Sequence, residues 1–542
     1  MTVMTTRELL ERHAAHTPDR VFAAFPGGAW TWRETLDRAR SVANGLRELG
    51  VTPGDYVASW LPNGCDALLS LLGVNLAGAA QVPMNVAYRG RLLEHALRTS
   101  QAKVLIAHHE LAPHLDGLDL PDLRTIVVVG GAAAASATAY AQRSWTDLER
   151  ASSEAPPPEC DRRPSDDMIV IFTSGTTGHS KGVRCSYHHH DAYADWFSAG
   201  DLGPDDRALV VLPLFHVGGS GWVFWALRTG ASLALMPRFE TARFWADVEA
   251  LGATTCTMVG AMANFLLEAP PRPADAQTPM RIVLATPWMN AWPEFARRFG
   301  VKLWAAFGMS EVPGPFRADV GDDITGLGRE ISPEWEVRLV DAYDMEVPDG
   351  APGELTVRHR RPWVITHGYL GMPEATAHAW RNGWFHTGDI VARRSDGIFV
   401  YVDRSKDSIR RRGENISSLE VELELQAHPA VLAAAVVAVP SDRSDDEVMA
   451  FVQRRAGAAL TGEELIRFVI PRLPHYMVPR YIEFVDELPR TPTGKLRKVE
   501  LRERGVGAAT WDREQAGINV KAQRLSVPSS RDDRPDAEGG AS

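Results

Sequence analysis

Short apolar runs separated by longer stretches of helical period decide which folds are open to this chain. Residues 36–49 carry apolar side chains at helical spacing, whereas residues 56–60 and 104–107 are brief strand-like runs. Repeated alternation of this kind predicts strands layered between helices, an α/β architecture. The chain has 542 residues, more than one ordinary hydrophobic core organises, so several packed subdomains are expected. With 45% hydrophobic and 23% charged residues the composition is that of a folded globular protein, which excludes a disordered or fibrous class.

A polar, proline-rich stretch at 152–165 reads as a surface loop ahead of the next strand, 168–172, and a second α/β series runs to about residue 330. Residues 335–357 alternate, with turn signals at Asp349-Gly350 and Pro352-Gly353, which predicts hairpins and a β-rich subdomain. After Tyr401 the chain is strongly charged for about a dozen residues, then returns to helix and strand patterns. The expected organisation is a large N-terminal domain, 1–403, made of two layered α/β subdomains plus the β-rich one, and a small mobile α+β domain, 404–515. A polar tail, 516–542, has too little apolar surface to offset its ordering entropy and is expected to be disordered.

The formal net charge of −11 argues against general nucleic-acid or anionic-membrane partners, which reward a positive surface. Cys65, Cys160, Cys185 and Cys256 lie far apart, in neither metal-ligand nor disulfide-framework spacing, and read as reduced thiols. No basic stretch leads into an apolar run at the N-terminus, and no apolar run reaches the ~18 residues of a membrane span. A cytoplasmic location is expected, and the sequence leaves the oligomeric state open, a homodimer included.

Chemistry first becomes legible at Thr173-Ser174-Gly175-Thr176-Thr177-Gly178-His179-Ser180-Lys181-Gly182. Glycines admit backbone N–H groups close to phosphate oxygens, hydroxyls add donors, and Lys181 brings a point charge. The Walker A spacing is absent. This loop resembles the phosphate loop of the adenylate-forming superfamily of acyl-CoA synthetases, luciferases and peptide-synthetase adenylation domains. Further motifs follow in that family's order: Phe307-Gly308-Met309-Ser310-Glu311, Gly353-Glu354-Leu355, Gly368-Tyr369, Trp384-Phe385-His386-Thr387-Gly388-Asp389, Tyr401-Val402-Asp403-Arg404 and Arg490-Thr491-Pro492-Thr493-Gly494-Lys495. Arg410-Arg411-Arg412-Gly413-Glu414-Asn415 is similar to the crotonobetaine/carnitine-CoA ligase branch.

The resemblance implies ATP, Mg²⁺ and CoA as the small molecules used, with a small carboxylic acid. It implies that Glu311 holds Mg²⁺, that Thr173, Ser174, Gly175, Thr176, Thr177, Lys181 and Ser310 meet phosphates, and that Phe307, with Gly308 and Met309, borders adenine. Asp389 would accept hydrogen bonds from both ribose hydroxyls and Arg404 would reach the ribose or phosphate, with Tyr401 nearby. Lys495 would place its ammonium between carboxylate and α-phosphate, where growing charge rewards it by about 3–4 kcal/mol. His216 would flank the acyl pocket with Gly218, Gly219, Val259, Ala285, Pro287, Trp288 and Trp304, and with Trp222 and Trp225 nearby. That aromatic content favours a compact flat or short acyl group. Lys406 would be the hinge, and Arg410, Gly413 and Glu414 the face presented to CoA, with the three arginines also offered to its phosphates.

His188-His189-His190 is expected to be a solvated or packing feature, because consecutive residues diverge on a helix. The expected activity is an AMP-forming acid–CoA ligase. A carrier-protein or amine acceptor, including a diazotase that activates nitrite for an aromatic amine, is the alternative within the family. A catalytically inactive nucleotide-binding scaffold is the alternative outside enzymes.

Overall fold

The computed structural model describes residues 3–131, 139–153, 162–173, 180–198, 202–286, 291–319, 326–404, 408–441, 446–489, 497–521 and 523. Two large sheets form the body. The first has seven strands; its central pairs are parallel and its edge is closed by an antiparallel pair, β1 (Asp167–Thr173) with β2 (Lys181–Ser186). Strands buried on both faces are mostly apolar, and residues 104–107 and 168–172 are apolar and buried at every position. Helix α1 (Tyr187–Phe197) follows directly, capped by the Ser186 side chain, which accepts from the His189 N–H.

The second sheet has nine strands and carries helix α2 (Val217–Thr229) in one of its crossovers. Its strands β3 (Thr255–Val259), β4 (Ile282–Thr286) and β5 (Lys302–Met309) are parallel neighbours, so their C-terminal ends share one edge. In open α/β sheets that edge is where ligands bind. Strand β5 then turns back antiparallel into β6 (Val312–Ala318). The 335–357 hairpin expected from alternation is present: Trp335–Val340 pairs with Gly353–His359, and β7 (Phe385–Arg393) and β8 (Phe399–Arg404) complete a four-stranded antiparallel sheet.

A hairpin of β9 (Ser408–Arg411) and β10 (Glu414–Ser417) opens the smaller C-terminal part, followed by α3 (Ser418–Gln426) and a further four-stranded sheet. The architecture is the expected α/β one, a large N-terminal part with a smaller α+β part after it. The expected tail needs correction at its start. Ile518 and Val520 pack against the C-terminal apolar core, and the Ile518 carbonyl accepts from Arg513, so folding extends past 516. Residues 524–542 lie outside the described ones.

Among the described residues no helix is long and apolar enough to cross a membrane. Cys185 and Cys256 are buried free thiols and Cys65 is a partly buried one, whereas Cys160 lies outside the described residues.

Candidate active site

A cavity of about 330 Å³ opens at the C-terminal ends of β3, β4 and β5, and every major part of the molecule contributes to its wall. Its polar end is made where β1 gives way to β2 and where β5 turns back into β6. Thr173 closes β1 and Lys181 opens β2. Ser310 and Glu311 are the two central residues of the β5–β6 hairpin, since Met309 pairs with Val312 on either side. That turn aims Glu311 inward at 6% exposure, where it accepts a hydrogen bond of 3.0 Å from the Tyr369 hydroxyl. Lys181 stands 4.8 Å over the same Tyr369 ring. Tyr369 thus links a cation over its ring face to a carboxylate at its hydroxyl, and helps to place both charged groups.

Asp389 reaches the cavity from an irregular stretch of β7, where Gly388 adopts φ of +77°, and its backbone pairs in register with Arg404 of β8. At 2% exposure it is a carboxylate placed for directional hydrogen bonding.

The other end is apolar. Tyr193, Trp196 and Phe197 of α1 form one wall; Thr257, Val259, Leu284 and Thr286 form the opposing one. Strand alternation selects these residues. Leu284 and Thr286 face the cavity, so Ala285 between them faces the opposite layer and packs with Cys256 and Phe295.

The third boundary is the β9–β10 hairpin. Its two turn residues, Arg412 and Gly413, have φ of +54° and +83°, the twin left-handed geometry of a two-residue hairpin. Glycine accommodates this freely; arginine adopts it at some cost, and such strain clusters at working sites. A Cβ at Gly413 would stand 3.4 Å from the Val259 side chain, so the turn is seated on the acyl wall. Beside it His216, at the N-cap of α2, bonds the Glu414 carboxylate through Nε2 at 3.0–3.1 Å. Burial lowers the His216 pKa, yet the Glu414 charge and hydrogen bond outweigh it and raise the net value. Burial likewise pushes Glu414 up, and the His216 charge and hydrogen bond pull it below the usual carboxylate range.

Alternation also separates the three arginines. Arg410 and Arg412 line the cavity, while Arg411 points the other way, 2% exposed, paired to Glu447 at 2.7 Å and donating to the Tyr476 and Val478 carbonyls. The turn sits at Arg412-Gly413, and Arg411 is a structural cation unavailable to a ligand. Next to the hairpin, Glu420 of α3 accepts both the Ser180 N–H and its hydroxyl, at 2.9 and 2.7 Å. Burial raises that carboxyl to about 7 although Ser180 acts to lower it.

The cavity thus gathers Thr173, Lys181, His216, Gly218, Val259, Gly308, Met309, Ser310, Glu311, Asp389, Arg410, Gly413 and Glu414. Others expected there stand elsewhere. Phe307 packs toward Phe316, ring centroids 6.0 Å apart, while its neighbours Ala306 and Gly308 supply the wall. Trp222, Trp225 and Trp304 are fully buried core residues behind the wall. Gly219 is a close-packing position, since a Cβ there would come 2.3 Å from the Pro213 carbonyl. Tyr401 is 47% exposed and lies off the cavity. Ser174, Gly175, Thr176, Thr177, Pro287, Trp288, Lys406 and Lys495 fall outside the described residues, as does the side chain of Arg404.

His189 and His190 are buried packing residues; burial lowers both pKa values, His189 to about 3, and His190 packs edge-on against Phe224. The sequence reading missed Tyr369 and Tyr193 as site residues. Tyr369 sat inside a quoted motif, but nothing local says that a tyrosine bridges a lysine and a glutamate from other turns.

Among the described residues no group of three His, Cys, Asp or Glu side chains is placed to hold a metal by itself. Glu311 is nevertheless a buried oxygen donor next to the lysine-bearing phosphate turn. Mg²⁺ commonly takes one or two carboxylates plus substrate phosphates, so the donor set fits it.

The sequence matches the AMP-binding enzyme model over residues 10–370 and the AMP-binding enzyme C-terminal domain over 420–495. A feruloyl-CoA synthase of Amycolatopsis sp is 34% identical over 506 residues, covering 91% of this chain and 97% of that protein. A crotonobetaine/carnitine–CoA ligase of Escherichia coli is 30% identical, covering 87% and 93%. The solved amide bond synthetase McbA from Marinactinospora thermotolerans superposes with a TM-score of 0.79 at 27% identity, covering 92% and 99%. With the cavity built from these motifs and both parts of the chain matched, the protein belongs to the AMP-binding, adenylate-forming enzyme family.

Proposed function

We propose that this enzyme uses ATP and Mg²⁺ to adenylate a compact, flat carboxylic acid and then passes the acyl group to CoA. In the first step a carboxylate oxygen attacks the α-phosphorus and pyrophosphate leaves. In the second the thiol sulfur attacks the acyl carbonyl, AMP leaves with the bonding electrons, and the thiol proton is released. The observation that carries this reading is one cavity with a Lys181–Tyr369–Glu311 end, an aromatic slot and a cationic hairpin over its mouth. A bound Mg²⁺ would neutralise phosphate charge at Glu311. Lys181 and Ser310 orient phosphate oxygens, Asp389 accepts from the ribose, and Trp196 and Phe197 exclude water from the acyl group.

Lys495 is the proposed catalytic ammonium and Lys406 the proposed hinge between an N-terminal domain, 1–403, and a C-terminal one, 404–515. The hairpin face toward the cavity, with Arg410, Arg412 and the seated Gly413, supports a thiol entering on that side. The similarity to a feruloyl-CoA synthase supports an aromatic acid as substrate. An amine acceptor is the second reading, favoured by the likeness to McbA along nearly its whole length.

The test is pyrophosphate release by the full chain with ATP, Mg²⁺ and a panel of aromatic and short aliphatic acids, followed by mass spectrometry of products with CoA or with amines. Acid-dependent pyrophosphate and a CoA thioester are expected. An amide with no thioester would replace the acceptor; no acid-dependent pyrophosphate would overturn the reading.

A further inference from the structure

The wall opposite the aromatic slot is apolar except for two hydroxyls, and these sit at different depths. Thr257 is in register with Leu284, and Val259 with Thr286, so β3 and β4 present two rows to the cavity. The outer row lies at the mouth, because Val259 is the residue on which the Gly413 turn rests. Two residues back along a strand is about 7 Å, which places Thr257 and Leu284 in the inner row, away from the polar turns.

Thr257 differs from an ordinary strand threonine in what holds it. The Trp222 indole N–H, at the fully buried face of α2, donates to Thr257 Oγ1 at 2.9 Å. An indole N–H only donates, so the threonine oxygen is the acceptor in this pair and its own proton must point elsewhere. Thr257 makes no other side-chain hydrogen bond among the described residues, is 4% exposed, and borders the cavity. The result is a buried donor with its rotation set from behind by a fixed indole and its proton left for the cavity. A buried donor with nothing to receive its proton costs about 1–3 kcal/mol, so it favours an occupant that supplies an acceptor.

We infer that Thr257 is a specificity-determining residue for the acid: its hydroxyl, oriented by Trp222, donates to an oxygen carried at the far end of the acyl group. This rests on the reading of the cavity as the acyl site. The preferred substrates are then aromatic acids with a hydroxyl, ether or carbonyl oxygen on the ring, against otherwise equal acids bearing methyl or hydrogen there. Leu284 beside Thr257 and the edge-on Trp196–Trp304 pair behind the slot give the rest of that end an apolar surface, which leaves one polar point of contact for the substituent.

The experiment compares kcat/KM for acid-dependent pyrophosphate release with 3- and 4-substituted benzoates and cinnamates carrying hydroxyl, methoxyl, methyl or hydrogen. The wild-type chain is expected to prefer an oxygen-bearing acid over its methyl counterpart by roughly tenfold or more. Thr257→Val, which keeps the shape and removes the donor, should bring that ratio to within about threefold, and Thr257→Ser should restore it. Because each ratio is internal to one variant, a general loss of activity does not imitate the result. Should Thr257→Val fail to fold, Trp222→Phe frees the hydroxyl to rotate and should relax the ratio in the same direction. A wild-type preference for the methyl acids, or a ratio unchanged in both variants, overturns the inference while leaving adenylation intact. No pyrophosphate release with any acid overturns the acyl-site reading and this inference with it.

Discussion

The two sides of the cavity are held in different ways. The inner side belongs to strands of two large sheets, where each of β3, β4 and β5 is paired to its neighbours and buried among apolar side chains. The outer side is one hairpin. It meets the inner wall through the Gly413 turn on Val259, through His216–Glu414, and, one helix on, through Glu420–Ser180, while Ile409 and Ile416 share a buried apolar cluster with Val170, Phe172 and Leu370. The strands are held by continuous backbone ladders as well as apolar burial, whereas the hairpin docks by side chains alone, and its polar pairs can be exchanged for water at small net cost. The groups proposed to hold nucleotide and acid sit on the strand side, and those proposed to face the acceptor sit on the hairpin side.

That contrast is sharpest at Lys495, which lies on the C-terminal part and is proposed to act on the first half-reaction alone. Lys495→Ala is expected to lower acid-dependent pyrophosphate release by a few hundredfold, the equivalent of about 3–4 kcal/mol of charge stabilisation in the transition state. Thioester formation from pre-formed acyl adenylate should fall far less, and an equal loss in both would break the division. A smaller, opposite effect is expected at the turn. Gly413→Ala puts a side chain at φ of +83° and against Val259, a strain of roughly 1–2 kcal/mol, so thiol transfer should drop by about tenfold with little change in pyrophosphate release. Single-turnover assays of the two steps decide it.

The smallest expected effect is a titration. With Glu414 present the His216 pKa is raised, so the ion pair is complete below the usual histidine value and is lost as pH rises through the raised one. On the acid side it is lost as pH falls through the depressed Glu414 value. In Glu414→Gln only burial remains, and the His216 midpoint should fall below the ordinary 6.5, read by NMR on 13C-histidine protein and assigned with His216→Gln. A midpoint unmoved by that substitution would mean the hairpin does not close on His216 in solution.

Particular residues show how far the sequence reaches. Glu311, Thr173, Lys181 and Asp389 were legible because each stands in a short motif whose glycines and hydroxyls are local in the chain. Trp222, Trp225 and Trp304 were not, since an aromatic side chain reads alike in a core and in a pocket until its neighbours are known. The arginine run shows the same gap. Charge alone offers all three residues to a ligand, and only the strand pairing of β9 with β10 turns Arg411 inward.

By itself the sequence determined the layered α/β class, the order of the short motifs that border the cavity, and the family, because these depend on local periodicity and on short motifs. Tertiary structure alone decided that Tyr369 links Lys181 to Glu311, that Gly413 rests on Val259, and that Trp222 aims the Thr257 hydroxyl. Each of those contacts joins residues tens to hundreds of positions apart, and its geometry exists only once separate elements have packed against one another.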